Sequence, residues 1–144
     1  MKRATPQTRD LAKRLIALEQ KGHKSSEART LVAIHVLEKL RPPLATLMGN
    51  AGYRALLSRA LVLANAEVPW LSAVHVNTDG SLEGLAELDD QLDPQELAEG
   101  RVVLVAQLLE LLVAFIGEDM TIRSTSELWP NLSNDGMDFG GRQQ

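Results

Sequence analysis

The sequence predicts a mainly α, single-domain helical bundle of about five helices, with a small β-hairpin near residues 73–85. Three observations carry this expectation. Leucine dominates the apolar set, with 25 Leu against five aromatics (Tyr53, Trp70, Phe115, Trp129 and Phe139), and leucine suits the aliphatic core of packed helices. Apolar residues recur at spacings of three and four, the signature of one buried face on a helix. Proline and glycine clusters punctuate those periodic stretches. At 144 residues the chain fits one domain, taken as 1–130, followed by a polar, glycine-rich tail over 131–144 expected to be flexible.

The first helix is expected over Pro6–Gln20, with Thr5 as cap and Pro6 at the first helical position. Leu11, Leu15 and Leu18 form its apolar stripe, and Arg9 and Lys13 lie away from it. Gly22 ends this segment, and Ser25 or Ser26 can cap a second helix running to Leu40. Ala33, Val36, Leu37 and Leu40 would be its buried face. Arg41-Pro42-Pro43 is expected to end that helix, because proline lacks an amide donor and restricts its predecessor. A short helical turn, Leu44–Met48, follows before the breaker Gly49-Asn50-Ala51-Gly52. Tyr53–Ala64 resumes a helix that buries Leu56, Leu57, Ala60, Leu61 and Ala64, and Pro69 closes this part.

Residues 72–86 change character. Ala73-Val74-His75-Val76 is β-rich, Asn77-Thr78-Asp79-Gly80 is a turn signal, and Ser81-Leu82-Glu83-Gly84-Leu85 alternates. A hairpin fits, as does an ordered loop that packs Val74 and Leu82 on the bundle. Asp93-Pro94-Gln95-Glu96 then reads as a capping box with proline at the first helical position. The helix it opens contains Val102–Ile116, apolar almost all round and therefore expected at the bundle centre or beneath a partner chain. Gly100, Gln107, Glu110, Ala114 and Gly117 make one small-or-polar stripe along it, suited to water or to close approach of a neighbour. Glu118-Asp119 are expected to start a last helix ending near Trp129-Pro130.

Charge is split along the chain. Residues 1–60 carry twelve Lys/Arg against four acids, and residues 61–144 carry three Arg against fifteen acids. The net −4 conceals this polarity, which bears on association rather than on fold. Lys13, Arg54 and Arg59 are the candidate binding residues for an anionic partner. A sequence pI near 5.4 argues against a dedicated nucleic-acid binder, and scattered aromatics offer no stacking platform.

Cysteine is absent, which removes disulfides, thiolate metal sites and thiol nucleophiles and is compatible with a reducing cytoplasm. The N-terminus lacks the apolar run of a signal peptide, and the longest apolar stretch falls short of the roughly 20 residues a membrane span needs. Aligning Gly80 with the invariant glycine of a calcium loop puts His75 and Ala86 where acids are required. Gly49-Asn50-Ala51-Gly52 has the G-x-x-G spacing of a KH clamp without the strands that a KH domain requires. His23, His35 and His75 are too dispersed for a metal triad, and Arg123 among Thr121, Ser124, Thr125 and Ser126 could pair with an anion or with Glu127. No Ser–His–acid arrangement, P-loop or dinucleotide fingerprint appears, which leans the reading away from an enzyme.

The expectation is a cytoplasmic, non-catalytic protein-interaction or regulatory domain, binding another protein or itself. The alternatives are a nucleic-acid binder using the basic helices, and a small-ligand pocket or enzyme within the bundle.

Overall fold

The computed structural model describes residues 5–21, 29–84, 87 and 91–130. The expected tail over 131–144, Gly22, His23, Ser25, Ser26 and the acidic stretch around residues 88–90 lie outside the described residues. Helix α1 spans Pro6–Lys21 and α2 spans Arg29–Glu67. A 3-10 turn over Pro69–Ala73 leads into the strands β1 (His75–Val76) and β2 (Leu82–Glu83). Two further helices follow, α3 (Pro94–Ile116) and α4 (Glu118–Leu128). Among the described residues the fold is thus a helical bundle of four helices with a two-stranded antiparallel hairpin.

The capping box forms as its residue types require. Asp93 accepts a 2.8 Å bond from the Glu96 amide, and Glu96 reaches back to the Asp93 amide at 3.4 Å. Together they satisfy amide groups that no helical carbonyl can reach. The helix they open is the hub, because its residues Val103–Leu109 form an unbroken buried run. Both α2 and α1 pack on α3, and α4 packs on α3 and α2. Leu11 and Leu15 from α1, and Leu40, Leu44, Leu57 and Ala60 from α2, complete an aliphatic core. Burying a side chain of this kind contributes about 1.5–3 kcal/mol.

The stripe on α3 divides in two. Gly100 and Gln107 are buried, and a side chain at Gly100 would collide with the Trp70 indole. Ala114 is exposed, and Glu110 accepts a 2.8 Å bond from the Thr5 amide at the start of α1. Close approach is therefore the role of its first half.

One helix boundary differs from expectation. The helix does not end at Arg41-Pro42-Pro43; both prolines lie inside α2, whose break comes at Gly49 with φ 81° and ψ 162°. Proline deprives only the carbonyls four residues earlier, here Glu38 and Lys39, of their amide partners. Those two residues are exposed, so water can serve the orphaned carbonyls. The left-handed backbone at Gly49 has no such remedy for an ordinary residue, and the helical axis changes there. Leu44–Met48 is accordingly part of α2 rather than a separate turn.

The hairpin pairs His75 with Glu83 and Val76 with Leu82, while Val74 is buried and Leu82 packs on the core. Asn77 donates its amide to Ser81, and Gly80 takes φ 90°. The Asp79 carboxylate accepts from the Ser81 hydroxyl (2.6 Å) and amide (2.9 Å), which holds its pKa below the ordinary carboxylate range. Arg41 donates to the Asp79 carbonyl at 2.7 Å and ties the turn to α2.

A polar pin closes the other side of the bundle. The Trp129 indole N–H donates to Glu19 Oε1 at 3.1 Å inside the structure, and Lys39 Nζ meets the same oxygen at 3.1 Å. Lys39 also stands 5.1 Å from the Trp129 ring centre. Three helical elements (α1, α2 and the end of α4) are joined at one carboxylate. Among the described residues, no helix is long and apolar enough to cross a membrane.

Candidate functional site

A groove of about 490 Å³ opens between the middle of α2 and the C-terminal half of α3. Its α2 wall is Met48, Gly52, Ala55, Leu56 and Arg59, and its α3 wall is Leu111, Ala114 and Phe115. The spacing on each helix explains the shape. Gly52, Ala55, Leu56 and Arg59 step by three, one and three, and Leu111, Ala114 and Phe115 step by three and one, so each set shares a helix face. Gly52, Ala55 and Ala114 are too small to fill the space between the two helices. Met48 lines it beside Gly52, its Cγ only 3.0 Å from where a Gly52 Cβ would sit.

The lining is apolar apart from one guanidinium. Phe115 is 61% exposed, an unusual position for a phenylalanine on the most buried helix of the fold. Leu47 and Val62 are also exposed on α2, and Val62 continues the Ala55–Arg59 face by one more turn. Arg59 is exposed and engages no ion pair among the described residues. The groove wall offers no carboxylate, imidazole or hydroxyl among the described residues, so it can bury apolar surface and neutralise an acid. It has no group placed to transfer a proton or attack a carbonyl.

The three residues expected to bind an anionic partner separate. Lys13 is exposed on α1, Arg54 is half-buried on α2, and Arg59 lines the groove. Five residues apart, Arg54 and Arg59 point about 140° from each other around the helix. Leu56, expected in the buried face with Leu57, is instead half-buried and forms part of the groove wall. Phe115 and Ala55 were not singled out by the sequence, and Gly52 was read only as part of a helix breaker and a G-x-x-G spacing. The signal that could have found them is the matching three-and-one spacing on two helices, but nothing in it shows that these two faces meet.

Other candidates resolve into structure. Thr121 and Thr125 are buried and donate their hydroxyls to the Gly117 and Thr121 carbonyls, away from the exposed Arg123. Glu118 and Asp119 occupy the first turn of α4, whose N-cap is Gly117. His35 is half-buried on α2 and His75 is exposed on β1. Among the described residues, no group of three His, Asp or Glu side chains could hold a metal ion.

No protein-family model matches this chain, and neither a curated protein nor a solved structure is similar to it.

Proposed function

We propose that this chain is a non-catalytic protein-interaction module that receives one amphipathic helix of a partner protein in the α2/α3 groove. The carrying observation is an apolar groove lined by an exposed Phe115 from α3 and Arg59 from α2, with small residues on both walls. Helix-in-groove recognition uses anchors at spacings of three and four against such a surface. Small residues at Gly52, Ala55 and Ala114 leave room for those anchors. Arg59 favours a partner with a carboxylate near its apolar face, because an ion pair there costs little desolvation at the rim and adds selectivity.

The test compares proteins retained by the wild-type chain with those retained by Ala55→Trp, which fills the groove, and Arg59→Glu, which reverses its charge. Recovery is read by mass spectrometry at low and high salt. The expected result is one set of proteins lost by about tenfold in both groove variants, equivalent to roughly 1.4 kcal/mol. Recovery unaffected by the groove variants but lost with Lys13→Ala, or recovery only of nuclease-sensitive material, would sink this reading. The latter results would favour a nucleic-acid binder using Lys13, Arg54 and Arg59. Self-association lost in the groove variants would identify the occupant as a second copy.

A further inference from the structure

We infer that the helix received by the α2/α3 groove belongs to a second copy of this chain. The Phe115 end of α3 enters the groove of the other copy, whose own Phe115 enters in return, and the product is a two-fold dimer. This rests on the reading of the groove as a docking surface and names its occupant. Such an occupant needs a large apolar side chain for the space left by Gly52, Ala55 and Ala114, and a carboxylate for Arg59. The end of α3 carries both. Among the described residues Phe115 is the one exposed aromatic; Tyr53 and Trp129 are buried in the core and Trp70 packs against it. Phe115 has no part in that core. Glu118 follows three positions later, in the first turn of α4. It is half-buried and, like Arg59, makes no ion pair among the described residues.

The symmetry follows from where the two halves of the contact lie. Phe115 is part of the groove lining, so a copy that brings its Phe115 to the groove brings its own groove with it. A patch that holds both the protruding group and the recess pairs with itself and closes, rather than growing into a filament. Val62 is exposed seven residues beyond Ala55, on the same face of the segment that follows the Gly49 break, and widens the apolar surface. Each buried aromatic ring contributes about 150–250 Å². Symmetry doubles that contribution toward the roughly 1,000 Å² or more that a specific interface buries. The charges agree as well. Arg59 belongs to the basic first part of the chain and Glu118 to the acidic second part, so two copies pair charges that one copy leaves apart.

The test is sedimentation equilibrium of the full chain from about 1 to 100 µM, a range that brackets micromolar affinity. The expected result is a monomer–dimer equilibrium with no larger species. Phe115→Ser alters an exposed position and Ala55→Trp fills the groove; each should weaken the dimer at least about tenfold, with circular dichroism confirming equal folding. Arg59→Glu and Glu118→Arg should each weaken it about fivefold, because one reversal acts twice in a symmetric pair. Mixed in equal amounts, these two single variants should form a heterodimer of wild-type strength, read by native mass spectrometry. Each then meets on the other chain the charge it has lost on its own, a rescue that no rearrangement within one chain can give. A monomer throughout, oligomers that grow beyond the dimer, indifference to Phe115→Ser, or no heterodimer on mixing overturns the self-pairing. If the chain is monomeric while Ala55→Trp and Arg59→Glu still lose the partner set, the groove receives another protein and only the self-pairing falls. If the partner set is unaffected too, the groove is no docking surface.

Discussion

Tyr53 lies in an aliphatic core at 2% exposure, and its hydroxyl donates to the Leu37 carbonyl at a long 3.3 Å. Burial pushes its pKa up to about 12, with the Glu38 carboxylate adding to the rise and the Arg41 guanidinium opposing it. The folded chain therefore holds the phenol proton more tightly than the unfolded chain. That contribution is complete below about pH 10 and is lost as pH climbs from about 10 to 12, where it amounts to at most roughly 3 kcal/mol. Tyr53→Phe is expected to flatten the stability curve across this window, measured by urea midpoints at increasing pH. At neutral pH the same substitution should cost about 0.5–1.5 kcal/mol, the worth of one ordinary hydrogen bond. The sequence placed Tyr53 just after a helix breaker, but its burial depends on the Gly49 bend bringing it back toward Leu37. Arg59 illustrates the opposite case. Its charge and exposure were legible, while its apolar neighbours on α3 are more than fifty residues away in the chain.

Helix ends were the most legible elements when the signal was local. Asp93, Pro94 and Glu96 lie within four consecutive residues and satisfy one another, so their pattern survives any tertiary context. Asp93→Ala should destabilise the protein by about 1 kcal/mol, whereas Asp93→Asn should retain most of the cap, as thermal unfolding can show. The interior prolines misled for a corresponding reason. Proline's penalty on a helix is set by what happens to two carbonyls, and that depends on exposure rather than on the residue type. Around Pro42 and Pro43 the affected positions face water, so α2 continues; at Gly49 the backbone itself turns left-handed and the helix bends. Wherever an apolar face had a partner outside its own helix, periodicity located the face but not the neighbour, as Leu56 shows.

At the scale of the whole molecule, the charge split along the chain is partly stitched in space. Arg9 of α1 pairs with Glu67 of α2, and the Thr5 amide bonds to Glu110 of α3, joining the basic half to the acidic half. Other pairs stay within the basic half, among them Arg14–Asp10, Lys39–Glu19 and Arg41–Glu38. The Glu19 pin matters more for integrity, because it fastens α4 through the buried Trp129. Trp129→Phe removes the indole donor and is expected to cost about 1–3 kcal/mol. Hydrogen exchange should then accelerate in α4 more than in α3, since α4 is short and held at its end while α3 is buried along its length. Equal acceleration in both helices would show that the pin supports the whole core.

The helical class, the α3 hub, its capping box and the turn at Asn77–Gly80 were determined by the sequence alone. Each depends on residue type and on spacings of a few positions, which the chain carries wherever it folds. The continuity of α2 through its prolines, the separation of Lys13 and Arg54 from the groove, and the placing of Arg59 and Phe115 in the lining of one groove were decided only by the tertiary structure. Those depend on which face is dry and which helices touch, and an apolar period of 3.6 residues records that a face exists without recording what lies against it.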